Sequence, residues 1–170
     1  SHLVDLIIHW FGAVKSVQAI SWNAIVGDPT VTFCCRMAAG FDVLVVGIEG
    51  LDYDQFEGDF FFQTSRLELA NSGVELREYH PVNGLYYEGY SQLGSGKFWA
   101  TPRPVGGLRE LYDCLFEHLV EGKDLPGCDG HAALAGVAVL DSAVRSAEAG
   151  GKLIEPGHQG HNDVSQRGSW

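Results

Sequence analysis

Residues 129–151 read DGHAALAGVAVLDSAVRSAEAGG, and the fold turns on what such a run of small residues is for. Asp129 suits the N-cap of a helix and Gly150-Gly151 suit its end. Between them Ala132, Ala133, Ala135, Gly136, Ala138, Ala143 and Ala147 leave one helix slender enough to approach a neighbouring element closely. Such a helix is expected to pack tightly on a sheet. Just upstream, after Thr101-Pro102-Arg103-Pro104, a second helical period begins. Leu108, Leu111, Tyr112, Leu115 and Leu119 fall opposite Arg109, Glu110, Asp113, Glu117 and Glu121, which predicts an amphipathic helix stopping at Gly122.

The sheet is expected earlier in the chain. From Ala13 to about Tyr90 the sequence is rich in Val, Ile, Phe and Tyr and is broken by turn signals at Gly27-Asp28-Pro29, Ala39-Gly40, Gly50 and Asn71-Ser72-Gly73. Strands are predicted over Val14–Ala24, Val31–Ala38, Phe41–Glu49, Gln55–Gln63, Arg66–Leu69, Val74–Tyr79 and Leu85–Tyr90. Connections this short imply antiparallel pairing. Gly94 to Gly96 read as a turn.

Alternation along these strands is incomplete. Val43 and Val45 point one way while Leu44, Val46 and Ile48 point the other, and Phe61 stands opposite Phe56, Phe60 and Phe62. Both faces of the central strands therefore call for burial. The fold class expected is α+β, an open and mainly antiparallel sheet with helices on one face. The other face is expected to be used for homo-oligomerisation, minimally a two-fold dimer.

The first residues, SHLVDLIIHWFG, predict a further helix from His2 to Phe11, capped by Ser1 and stopped by Gly12. His2, Asp5 and His9 lie three and four residues apart and so share one stripe, with Leu3, Leu6, Ile7, Trp10 and Phe11 expected on the opposite side. The stripe has three readings. Asp5 and His9 form a satisfied i, i+4 pair, or an acid/base pair facing a ligand, or His2 joins them as a two-histidine, one-carboxylate metal site. The last is the weakest, because three ligands on one helix stripe converge on an ion only with help from another element.

Composition narrows the partners. The chain of 170 residues is 45% hydrophobic, which suits one domain with a real core over residues 1–155 and an irregular Gly- and His-rich tail over 156–170. His158 and His161 in that tail make a weak metal site at best. With 11 Lys and Arg against 22 Asp and Glu the net charge is −11, which argues against nucleic acid and acidic membrane surfaces. No apolar run approaches the roughly 20 residues of a membrane helix, and no basic region precedes a leader-like segment. Cys34, Cys35, Cys114 and Cys128 have no zinc spacing. Cys34 and Cys35 are expected on opposite faces of a strand as buried apolar groups, in a reducing compartment, by default the cytoplasm. The chain's one methionine is Met37, and a helix at its very start fits a segment of a longer polypeptide.

Three stretches in this order resemble the C-terminal half of the Gfo/Idh/MocA oxidoreductases. HLVDLIIHWFG (2–12) is similar to that family's helix bearing an Asp-x-x-x-His pair. DYDQFEGDFFFQTSRLEL (52–69) resembles its sheet segment leading into a hairpin, and residues 111–155 resemble its closing pair of helices. The resemblance covers His2 to about Glu155. It implies the substrate-binding and oligomerising half of an NAD(P)-dependent enzyme acting on a sugar, polyol or related hydroxyl compound. Mapped residue by residue, His9 becomes the candidate base and Asp5 the carboxylate that orients substrate or imidazole. His2, Tyr86 and Tyr87 become candidates for substrate contact, although aromatic residues in strands more often belong to the core. NAD or NADP is expected in the complete enzyme and no cofactor on this chain alone. Neither G-x-G-x-x-G nor Glu-Lys-Pro occurs here, so the resemblance places the Rossmann-type nucleotide domain elsewhere. A non-enzymatic dimeric binding module that kept the fold is the alternative.

Overall fold

A computed structural model describes residues 2–23, 30–53, 55–100, 107–123 and 130–157. The chain is α+β, with three helices and two antiparallel sheets. It divides into two compact units, 1–50 with 126–170, and 51–125.

The first unit holds α1 (His2–Phe11), β1 (Val14–Asn23), β2 (Thr30–Met37), β3 (Asp42–Val45) and α3 (Gly130–Glu148). Its sheet runs β1-β2-β3. Alternation sends Val31, Phe33, Cys35, Met37, Val43 and Val45 to one face, where α1 and α3 cover them. From α1 come Val4 and Ile7, from α3 Val139 and Ala143, and Val17 of β1 completes a cluster that is almost fully buried. The closing helix does pack tightly on the sheet. Its buried stripe includes Gly136, Val139, Ser142, Ala143, Ser146 and Ala147, while Ala133 is exposed. Its expected N-cap, Asp129, lies outside the described residues.

Ser146 ties three segments together. Its Oγ accepts from the Ala19 amide at 2.8 Å and donates to the Lys152 carbonyl at 2.5 Å, with no solvent exposure. Gly151, at φ +83°, brings its backbone so near β1 that an added Cβ would lie 3.0 Å from the Ala19 oxygen. The chain then runs beside β1, where Val17 and Ile154 exchange backbone hydrogen bonds of 2.8 and 2.9 Å.

Cys34 and Cys35 do take opposite faces. Cys35 is buried, and loss of solvation, helped by its Cys34 neighbour, pushes its thiol up to about 12. Cys34 is only half-buried, a correction to its expected burial, because it points to the uncovered face across from Leu44.

The second unit holds β4 (Gly58–Phe61), β5 (Arg66–Ala70), β6 (Glu75–Asn83), β7 (Ser91–Ala100) and α2 (Gly107–Glu121), with sheet order β4-β5-β6-β7. Gly122, at φ +67°, ends α2 as expected, its amide bonded to the His118 carbonyl at 3.1 Å. Two expectations fail here. Leu85–Tyr90 is the β6–β7 turn rather than a strand, closed by the Gly84 amide on the Tyr90 carbonyl at 2.8 Å. Gly94 to Gly96 lie inside β7 rather than in a turn. These glycines are required by the adjacent strand: a Cβ on Gly96 would sit 2.6 Å from the Glu78 oxygen, and one on Gly94 would sit 2.8 Å from Val82.

One face of this sheet is a charged ladder rather than a surface calling for burial. Arg66 bonds Asp59 at 2.7 Å and lies over the rings of Phe61 and Tyr79. The Tyr79 hydroxyl donates to Glu68 at 2.6 Å, and Arg77 bonds Glu75 at 2.7 Å while lying over Phe98. Phe61, which breaks the alternation in sequence, is thus a platform for an arginine.

Candidate functional site

The Asp-x-x-x-His helix places its polar stripe on the side away from the core. Gly12, at φ +84°, ends α1 with its amide on the Ile8 carbonyl at 2.8 Å. Val4 and Ile7 are buried, and Leu3, Ile8 and Phe11 pack beside them. At about 100° per residue this face is centred near Phe11, roughly opposite the midpoint of Asp5 and His9. Leu6 and Trp10, expected on the core side, lie instead next to the polar stripe. Trp10 is 48% exposed. The signal was present in the spacing, since both residues fall closer to His2 than to Val4 around the helix.

Asp5 is half-buried, and His2 and His9 are exposed. No hydrogen bond or ion pair joins Asp5 to His9 among the described residues, so the satisfied pair does not form. Nor do His2, Asp5 and His9 gather into a three-ligand metal cluster. What remains is a carboxylate and an imidazole one turn apart, presented outward from a helix whose other side is anchored. Such a pair can accept a proton from, and hydrogen-bond to, a molecule that docks on it.

Tyr86 and Tyr87 belong to the second unit, in the turn after β6, and are 85% and 73% exposed, with the Tyr87 and Tyr90 rings edge-to-face at 6.2 Å. They are therefore neither strand residues nor core. Trp99, on β7, is also exposed. His158 and His161 lie outside the described residues. A shallow concavity at the end of the first sheet, lined by Ser21, Trp22, Asn23, Thr32 and Glu49, went unread in the sequence, and its polar groups already pair. Asn23 donates to Glu49 at 2.6 Å, and Thr32 Oγ1 accepts from the Gly47 amide at 3.1 Å.

No helix of the described residues is long and apolar enough to cross a membrane. No protein-family model matches the chain, and no curated protein matches it in sequence. Solved structures do match its fold. UDP-N-acetylglucosamine 3-dehydrogenase GnnA from Acidithiobacillus ferrooxidans superposes with a TM-score of 0.64 at 18% identity, over 87% of this chain and 45% of GnnA. A protein reported as an NADPH-dependent oxidoreductase from Desulfitobacterium hafniense gives 0.64 at 15% identity, over 91% and 46%. A super-repressor mutant of Gal80p from Saccharomyces cerevisiae gives 0.58 at 13%, over 91% and 47%. The chain spans about half the length of each of these structures. Its α+β fold is accordingly shared with about half of each of these chains.

Proposed function

We propose that this chain is the substrate-binding and oligomerising half of an NAD(P)-dependent oxidoreductase acting on a sugar, polyol or related hydroxyl compound. The observation that carries the reading is the outward stripe of Asp5 and His9 on an anchored α1. His9 receives the proton of the substrate hydroxyl, a task to which imidazole is suited because it titrates near neutrality. Asp5 orients the substrate or the imidazole, and His2 contributes a contact. Residues 1–155 form the substrate domain and 156–170 a tail. Its unpaired thiols, Cys34, Cys35 and Cys114 among the described residues, suit a reducing compartment such as the cytoplasm.

The Gly94–Gly96 segment does not fit a dinucleotide. Gly94 and Gly96 run along β7, not at a strand-to-helix turn where a helix N-terminus would meet a pyrophosphate. NAD or NADP is therefore assigned to a Rossmann-type domain outside these residues. Calorimetry of the chain alone with either dinucleotide is expected to show no heat of binding, whereas the polypeptide carrying both halves reduces the dinucleotide when given a hydroxyl substrate. A micromolar isotherm from the chain alone would sink this division of labour. The match to a repressor mutant favours a second reading, a non-enzymatic binding module. It predicts that the two-half polypeptide binds small hydroxyl compounds yet never reduces the dinucleotide.

Oligomerisation is assigned to the uncovered face of the first sheet, where Leu44 is more than half exposed, as are Val46 and Ile48 just past the end of β3. An interface of the standard ~1,600 Å² with this apolar centre would form a two-fold dimer. Light scattering is expected to give at least twice the monomer mass, and Leu44→Glu to lower it. Val45 is a core residue and is unsuited to the test. A wild-type monomer at micromolar concentration would exclude the assignment.

A further inference from the structure

The β6–β7 turn is built to hold its side chains out. The Gly84 amide donates to the Tyr90 carbonyl at 2.8 Å, Gly89 supplies a φ of +82°, and a Cβ on Gly84 would lie 2.6 Å from the Tyr90 oxygen. With the Tyr87 and Tyr90 rings edge-to-face, the loop's shape is set by its own contacts. Leu85, Tyr86, Tyr87 and Tyr90 are nevertheless each more than 70% exposed. The same unit carries a second uncovered surface. At about 100° per residue Leu111, Tyr112, Leu115, Phe116, Leu119 and Val120 span half the circumference of α2, and all six are exposed. Glu110, Asp113, Glu117 and Glu121 fall on the other half.

We propose that these two surfaces meet between copies of this chain. The aromatic tip of one copy packs on the apolar face of α2 in a second, and the second returns the contact about a two-fold axis. This contact is additional to the one assigned to the first sheet, and the two together close a tetramer. Tyrosine suits such a tip, because its ring gains from leaving water while its hydroxyl stays wet at the rim. A turn already closed spares the cost of ordering it on docking. With a net charge of −11, two copies approach through surfaces poor in charge, and Glu88 is the only charged residue from Gly84 to Tyr90. Area decides between a single and a reciprocal contact. At about 150–200 Å² per exposed aromatic side chain, the tip has roughly 500 Å² to bury, so one tip on one helix face buries roughly 1,000 Å² in all, short of a stable interface. The reciprocal pair buries roughly 2,000 Å², within the standard range. Its partner must carry both surfaces, and a second copy does.

The test is the mass of the full chain by light scattering at micromolar concentration, in a Leu44→Glu background that removes the first-sheet contact. That parent is expected to be a dimer. Tyr86→Ser with Tyr87→Ser is expected to halve its mass, and so is Phe116→Glu with Leu119→Glu. Mixing the two variants in equal amounts is expected to restore dimers, because the intact tip of one then meets the intact helix of the other. Circular dichroism checks that each variant is folded, and Phe116→Ser replaces the helix variant should the two glutamates unfold it. A monomeric Leu44→Glu parent overturns the proposal and leaves the first-sheet assignment standing. A wild type and a Leu44→Glu protein that are both dimers remove that assignment and leave this one. A tip variant that stays dimeric overturns the proposal in favour of α2 pairing with α2 or of another contact. Folded variants that both stay monomeric on mixing overturn it as well, since each surface then meets its own kind.

Discussion

His9→Ala is expected to lower the turnover of the two-half polypeptide by about 10² to 10⁴ while leaving its melting temperature nearly unchanged. The rate effect follows from loss of the group that takes the substrate's proton. The stability effect is small because His9 is exposed and joins no described residue, and surface changes of this kind stay within about 0.5 kcal/mol. Asp5→Asn keeps the size of the side chain and removes its charge, so the loss there is expected in kcat more than in folding. Steady-state rates and thermal denaturation of each variant, measured side by side, decide the matter. A His9→Ala enzyme with wild-type turnover would return the stripe to an ordinary wet helix edge.

The second large effect belongs to the seat of that helix. Met37→Ala is expected to destabilise the fold by about 2–5 kcal/mol, because Met37 is 1% exposed and sits in the cluster shared by α1, α3 and the first sheet. Its flexible thioether fills an irregular gap that alanine would leave empty. The backbone bond from the Met37 amide to the Phe41 carbonyl, 2.9 Å, survives the change, so the loss measures packing. For a chain of this length about 2–4 °C of melting temperature is lost per kcal/mol, which calorimetry resolves easily. A Met37→Ala protein melting within a degree of the wild type would mean that the cluster is not the core of this unit.

The C-terminal ends of all three helices were legible in the residues themselves. Gly12, Gly122 and the Gly150-Gly151 pair all take positive φ, a conformation that side chains resist, so a helix stop is written in single residues. The Asp-x-x-x-His stripe was legible for the same reason, since helical periodicity is local. The boundaries of β7 and the aromatic turn were not. Gly94 and Gly96 look like breakers until Val82 and Glu78 of the neighbouring strand show why no side chain fits there. The run from Leu85 to Tyr90 looks like a strand until Gly84 closes on Tyr90. Phe61 reads as a buried ring until the ladder leaves it exposed with the Arg66 guanidinium over its face. Ser146 reads as one more small residue, and only packing brings the Ala19 amide and the Lys152 carbonyl to its hydroxyl. Helix caps and faces depend on residues within a few positions, which the sequence carries in order. Strand partners, ladder faces and buried hydroxyl bonds depend on groups dozens of residues apart, and their geometry exists only once the chain has brought those groups together.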